Sequence, residues 1–366
     1  MKLNRELSEL VPYKGGPGFS EIAEQYGLEQ ITKLSSNEIW EEPFPEVATA
    51  VANAIGNLNR YPDGDCTELR SALSSKLGVG RRNLVFGNGS CEVLMLLGEA
   101  LLSPGKSVVF PDPSFVVYRM IGMARGAELR PVPLAGHTND LAGMAEAIDE
   151  TTSLVVLCNP NNPTGTYVDS NAIREFLDEV PEDIVVALDE AYIEFVVPSP
   201  VDDPATWVVE HPNLVVLRTF SKIYGLAGLR VGYGVASSTL VEALDKIRQP
   251  FNVNSLSQVA ALAALGEEGR VAERRRQVEQ ERARLSESLT RMELEFVDSQ
   301  ANFLLVRVGG LSIPAKEVPQ ALIEQGLLTR SGFAFGYPGW VRVTIGSRRE
   351  NDRFLEALRK LKTTVR

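Results

Sequence analysis

LVVLRTFSK, residues 214–222, is a β-branched apolar run that passes into an arginine, hydroxyl side chains and a lysine. Two similar runs precede it, LVVLC at 154–158 and IVVAL at 184–188. Each is apolar on both faces, as strands sandwiched between two layers of helices must be. About 30 residues separate successive runs, with helix-like stretches such as 171–179 between them, which is the spacing of βαβ units. This predicts an α/β fold with a mostly parallel sheet and right-handed crossovers, and 107–110 (SVVF) reads as a further strand.

In an open parallel sheet, ligands bind beyond the carboxyl ends of the strands, so the residues after each run carry the functional signal. After 158 comes Asn159-Pro160-Asn161-Asn162-Pro163-Thr164-Gly165; after 188 comes Asp189-Glu190-Ala191-Tyr192; after 217 come Arg218, Thr219, Phe220, Ser221 and Lys222. Three consecutive strands thus deliver an amide, a carboxylate with a phenol, and a lysine to one edge. That set suits pyridoxal 5'-phosphate. A carboxylate at the pyridine nitrogen keeps it protonated, which makes the ring an electron sink, and Asp189 fits that role. Tyr192 and Asn162 suit the ring's 3-oxygen. Lys222 suits the Schiff base, with its freed amine as the proton carrier.

The phosphate of such a cofactor needs donors. Gly87-Asn88-Gly89-Ser90-Cys91-Glu92 precedes an apolar helical pattern at 93–102, and a helix start presents free N–H groups and a positive dipole end to an anion. Ser221 and Arg230 would add a hydroxyl and a charge. Gly105-Lys106-Ser107 resembles the end of a nucleotide-binding loop, but position 100 is alanine where that motif needs glycine.

Bulk composition narrows the alternatives. The 366 residues suit one large domain and a smaller one, and the formal charge of −11 argues against nucleic acid or an anionic membrane surface as partner. The N-terminus is charged and no apolar run is long enough to span a bilayer. Three dispersed cysteines and two histidines suggest neither a disulfide framework nor a metal site, so a cytoplasmic location is expected. Between 267 and 287, six acidic and six basic residues interleave, which reads as a solvated helix with intrahelical pairs. The organisation expected is an N-terminal arm at 1–32, a large domain at 33–248 and a smaller α+β domain at 249–366.

NPNNPTG (159–165), DEAYIEF (189–195) and RTFSKIYGLAGLRVGYG (218–234) resemble the class II branch of the fold-type I aminotransferases, and within it the histidinol-phosphate aminotransferases. NRYPDG (59–64), GNGS (87–90), QPFNVNSLSQ (249–258) and SQANFLLVR (299–307) extend the resemblance from Tyr13 to about Asn351. It implies a seven-stranded, mostly parallel sheet and the cofactor roles given above, with Cys91 contributing its backbone N–H to the phosphate. It further implies that Phe115 stacks on the cofactor ring and that Tyr61 reaches the phosphate of a neighbouring subunit in a homodimer. Arg342 would bind the substrate carboxylate, Tyr13 and Arg330 the substrate phosphate, and Asn37 would lie near the substrate. The implied reaction interconverts histidinol phosphate and 2-oxoglutarate with imidazole acetol phosphate and L-glutamate, in histidine biosynthesis. An aromatic amino acid aminotransferase shares these motifs; Tyr13 and Arg330 favour the phosphorylated substrate. A threonine-phosphate decarboxylase is a weaker relative. A non-catalytic binding protein of the same fold would carry a DNA-binding segment, for which the chain leaves no room. Two departures from the family pattern stand out: Ile39-Trp40 follows Asn37-Glu38, which puts a tryptophan at the expected pocket mouth, and Cys91 replaces the usual aspartate.

Overall fold

The computed structural model describes residues 10, 12 and 19–363. A seven-stranded sheet runs in the spatial order Leu84–Gly87, Gly232–Ala236, Leu214–Thr219, Val185–Asp189, Thr152–Cys158, Ser107–Asp112 and Glu128–Pro133. The last five of these are mutually parallel, whereas Gly232–Ala236 is antiparallel to both neighbours. Alternation within the apolar runs explains why both faces are covered. Val155, Leu157, Val186, Leu188 and Val216 enter one core, while Leu154, Val156, Ala187, Val215 and Leu217 enter the other. Register decides what happens at the edge. Cys158 is opposite Asp189, and Asp189 is opposite Leu217, so the three functional segments emerge side by side.

A second core is built on a four-stranded antiparallel sheet, in the order Arg330–Ser331, Trp340–Thr344, Phe303–Arg307, Phe296–Val297. Leu34 joins this core, and Thr32–Lys33 pairs in parallel with Leu327–Leu328. The change in sequence texture near 249 does not coincide with a break in packing. The helix Ser255–Leu265 buries Ala260, Ala261 and Ala264 in the core of the large sheet, together with Val47 and Leu69. We propose that the division between the two cores falls near residue 267, where the long helix Glu268–Arg291 begins.

That helix is not solvated all round. Arg284 pairs with Glu281, and Arg291 with Glu287, as interleaved charges should. Arg274, however, is 1% exposed. Its guanidinium is satisfied by Glu41 at 2.7 Å and the Ile223 carbonyl at 2.7 Å, and it lies 4.2 Å from the Phe44 ring centroid. Burying an arginine is tolerable when its forked donors find partners at these angles, and here they tie the long helix to 41–44. Among the described residues no helix is long and apolar enough to cross a membrane.

Candidate active site

A cavity of about 420 Å³ opens at the carboxyl edge of the large sheet, between it and the smaller core. Lys222 enters it from the turn after Leu214–Thr219. Its Nζ lies 3.3 Å from the Ser36 carbonyl oxygen and 5.5 Å from the Tyr192 ring centroid. Burial lowers its ammonium to about 8, and the neighbouring Arg342 and Arg230 charges act in the same direction. An amine of that kind is partly neutral near neutrality, as a nucleophilic lysine must be.

Asp189 ends the adjacent strand and is 3% exposed. One carboxylate oxygen accepts from the Ala191 N–H at 3.2 Å and the other from the Tyr118 hydroxyl at 2.8 Å. Burial pushes the Asp189 carboxyl above its ordinary range, and the Tyr118 hydrogen bond opposes that rise. Tyr192 is buried one turn on, and burial raises its phenol, which therefore stays protonated. Its oxygen accepts from Asn37 Nδ2 at 2.9 Å. Asn37 is itself held from the smaller core: its N–H donates to Thr344 Oγ1 at 2.9 Å, and its Oδ1 accepts from the same hydroxyl at 3.2 Å. Asn162 Oδ1 accepts from Arg342 Nη1 at 2.6 Å, while Arg342 Nη2 donates to the Ser35 carbonyl at 2.6 Å.

At one end of the cavity the helix Ser90–Leu101 begins, preceded by Gly89 at φ +74°. Ser90 and Cys91 are thus the first helical residues, with N–H groups that no earlier turn can satisfy. Arg230 closes this end, donating from Nη1 to Ser221 Oγ at 3.3 Å and from Nη2 to the Asn88 carbonyl at 3.3 Å. Gly232 lets the strand pass this close. A Cβ there would strike the backbone of Gly89 and Ser90 and come within 2.9 Å of the Arg218 carbonyl oxygen. Burial raises the Cys91 thiol, so this position offers its N–H rather than a thiolate. Phe115 lines the cavity and stands edge-on to Tyr118, with centroids 5.8 Å apart.

The donor set fits a phosphorylated pyridine aldehyde: an amine of lowered pKa, a buried acid, a phenol and an amide, and an anion cup formed by a helix start and an arginine. The structure thus brings together Ser90, Cys91, Phe115, Asn162, Asp189, Tyr192, Ser221, Lys222, Arg230, Arg342 and Asn37 around one cavity. It does not bring in all the expected residues. Arg330 pairs opposite Arg342 on the neighbouring strand and does not line the cavity. Tyr61 is 82% exposed, stacked 4.7 Å from Phe251 and outside its own chain's cavity. Tyr13 lies outside the described residues. Trp40 packs against the smaller core instead of lining the cavity, so this departure leaves the lining unchanged.

Sequence reasoning missed Tyr118, Thr344, Ser36 and Thr219. Tyr118 alone left a signal, standing three residues after Phe115 and therefore on the same side of a helical turn. A second cavity of about 450 Å³ lies over Arg218 and Tyr233 and shares no lining residue with the first.

The description "Aminotransferase class I and II" matches residues 29–358. The chain belongs to the class I and II aminotransferase family. It is 46% identical to histidinol-phosphate aminotransferase 1 of Cupriavidus pinatubonensis, over 95% of this chain and 93% of that one. It is 44% identical to the histidinol-phosphate aminotransferase of Halalkalibacterium halodurans, over 98% and 96% respectively. Among solved structures, histidinol-phosphate aminotransferase from Sinorhizobium meliloti, in complex with pyridoxal-5'-phosphate, superposes with a TM-score of 0.90 at 27% identity, covering 98% of this chain and 97% of that one.

Proposed function

We propose that this protein is a pyridoxal-phosphate-dependent transaminase that interconverts histidinol phosphate and 2-oxoglutarate with imidazole acetol phosphate and L-glutamate. The observation that carries the reading is the convergence of Lys222, Asp189, Asn162 and Arg342 on one cavity beside an anion cup. Names of full-length relatives at 44–46% identity support the phosphorylated substrate over an aromatic amino acid. When bound, the cofactor supplies an electron sink for a carbanion at the substrate carbon.

The chain's own residues do the rest. Lys222 holds the cofactor covalently and, once released, carries a proton between two carbons, which its lowered pKa suits. Asp189 faces the ring nitrogen, and Asn162 and Tyr192 face the ring oxygen. Phe115 covers the ring. The N–H of Cys91, the Ser90 and Ser221 hydroxyls and Arg230 hold the phosphate. Arg342 takes the glutamate carboxylate as a planar fork, with Asn37 beside the substrate. Arg330 and Tyr13 serve the substrate phosphate; Arg330 stands directly opposite Arg342 in the antiparallel pair, on the same face of that sheet.

The working form is a homodimer in the cytoplasm in which the partner subunit's Tyr61 reaches the phosphate. Exposed Tyr61, Leu58, Ile55 and Met95 support such an apolar contact. The test is a single-turnover absorbance experiment on the cofactor-loaded protein, adding L-histidinol phosphate and L-phenylalanine separately. Rapid loss of the cofactor–lysine band at far lower histidinol phosphate supports the reading; a faster response to phenylalanine moves the function to aromatic amino acids.

A further inference from the structure

Asp189 has a task that its surroundings oppose. It must remain a carboxylate facing a ring nitrogen, yet it sits 3% exposed at the end of a central strand. Burial favours its neutral acid. A protonated Asp189 could not keep a proton on the ring nitrogen, because the two would compete for the same one. Something must therefore lower the basicity of this carboxylate, and few groups touch it. Oδ1 accepts from the Ala191 N–H, an exchange any residue at 191 could make. Oδ2 accepts from Tyr118, a side chain with 0% exposure.

We propose that Tyr118 is a positioning residue for transamination: its hydroxyl, 2.8 Å from Oδ2, holds Asp189 as the carboxylate and so keeps the proton on the cofactor's ring nitrogen. This rests on Asp189 facing that nitrogen, as proposed above. The geometry serves the role in three ways. Tyr118 lies in the first turn of the helix Val117–Ala124, whose start is fixed by its N–H donating to the Phe115 carbonyl at 3.1 Å. The ring is fully buried and stands edge-on to Phe115. Finally, burial and the nearby Asp189 charge raise the phenol well above its usual value, which keeps the group a donor at any working pH. A hydrogen bond to the charged form favours that form, and one made out of water is strong. Phe115 and Tyr118 thus act as a pair on one helical turn, one against the cofactor face and one against its acid.

The test uses the holoenzyme loaded with pyridoxal phosphate labelled with ¹⁵N in the ring. In Tyr118→Phe, the ring-nitrogen resonance moves toward that of a neutral pyridine and kcat falls by about 10-fold or more, the loss of one hydrogen bond to a charged group. KM for glutamate stays within about twofold, since no substrate contact is lost. Reconstitution with cofactor methylated at the ring nitrogen, whose positive charge is fixed, brings the variant's rate to that of the wild type with the same cofactor. A folded, loaded Tyr118→Phe enzyme with the wild-type resonance overturns the proposal. Asp189→Asn separates the two levels. If it too keeps the protonated resonance, the assignment of Asp189 has failed; if it loses the proton while Tyr118→Phe keeps it, only the role of Tyr118 has. Should Tyr118→Phe not fold, 3-fluorotyrosine at 118 retains the ring and strengthens the donor. The weaker carboxylate base must then leave more of the shared proton on nitrogen, moving the ring-nitrogen resonance at neutral pH further toward the fully protonated position, and an unchanged or opposite shift overturns the proposal.

Discussion

Arg342 donates from Nη1 to Asn162 Oδ1 at 2.6 Å, joining a strand of the smaller core to the loop after a central strand of the large sheet. The contact fixes which way the Asn162 amide faces. With its oxygen taken by the guanidinium, its NH₂ group is the part left for the cofactor's ring oxygen. One arginine, at the proposed carboxylate site, therefore also sets the orientation of the Asn162 amide.

Arg342→Ala should then raise KM for glutamate by about 10- to 100-fold, the loss of charge-assisted hydrogen bonds. It should also lower kcat, because the Asn162 amide is released. Steady-state kinetics with glutamate check this. A rise in KM with kcat untouched would mean that the arginine only binds substrate and that its contact with Asn162 has no catalytic consequence.

Lys222 sits in a site that burial and two arginines make inhospitable to a positive charge, and its ammonium falls from 10.5 to about 8. Attachment of the cofactor needs the neutral amine. The sign is simple: acidification protonates Lys222 and slows capture. The rate at which cofactor-free protein takes up pyridoxal phosphate, followed by absorbance, should rise with pH and level off above about 8. A rate still climbing toward the ordinary lysine range would contradict the effect of burial. Lys222→Ala should abolish turnover, and an active Lys222→Ala enzyme would remove the central assignment.

Gly232→Ala tests the anion cup without replacing any residue that forms it. The new Cβ would press on the backbone of Gly89 and Ser90, where no side-chain rotation can relieve it. Overpacking of this kind costs about 1–3 kcal/mol, and if the cup takes the strain, cofactor affinity drops by about 10-fold or more. Equilibrium dialysis against pyridoxal phosphate gives the answer. Unchanged affinity would show that the strand yields and the helix start does not.

These sites were not equally legible in the sequence. The three central strands could be read because burial on both faces leaves an unbroken apolar run, and Asp189 and Lys222 because strand ends in a parallel sheet point at ligands. Tyr118 and Thr344 could not be read this way. Each is bonded to a partner far along the chain, Asp189 and Asn37, which no strand-end reading reaches. Arg274 misled for a related reason. In a helix dense with charge, nothing local distinguishes the one arginine whose partners, Glu41 and the Ile223 carbonyl, lie in other segments. Texture alone places the helix Ser255–Leu265 after the boundary at 249, whereas its Ala260 and Ala264 pack with the large sheet, because small residues fit either side of a boundary.

The Arg218 ion-pair cluster yields the last prediction, one of stability. Arg218 is buried and grips Glu190 Oε2 through Nε at 2.9 Å and Nη2 at 2.6 Å, with Asp203 on its outer side. Burial already pushes the Glu190 carboxyl up to about 7 in the presence of this arginine. Arg218→Met removes the compensating charge, which costs about 3–5 kcal/mol when the remaining partner is buried. Without Arg218, the folded-state pKa of Glu190 rises further above its unfolded value. A raised carboxyl penalises the folded state above the unfolded pKa, and the penalty disappears as pH falls and the acid takes up its proton. The gap in thermal unfolding midpoint between Arg218→Met and wild type should therefore be wide at about pH 8 and narrow by about pH 5.5. A gap that stays constant across this range would show that Glu190 is not the residue left uncompensated, and that the loss comes from packing alone.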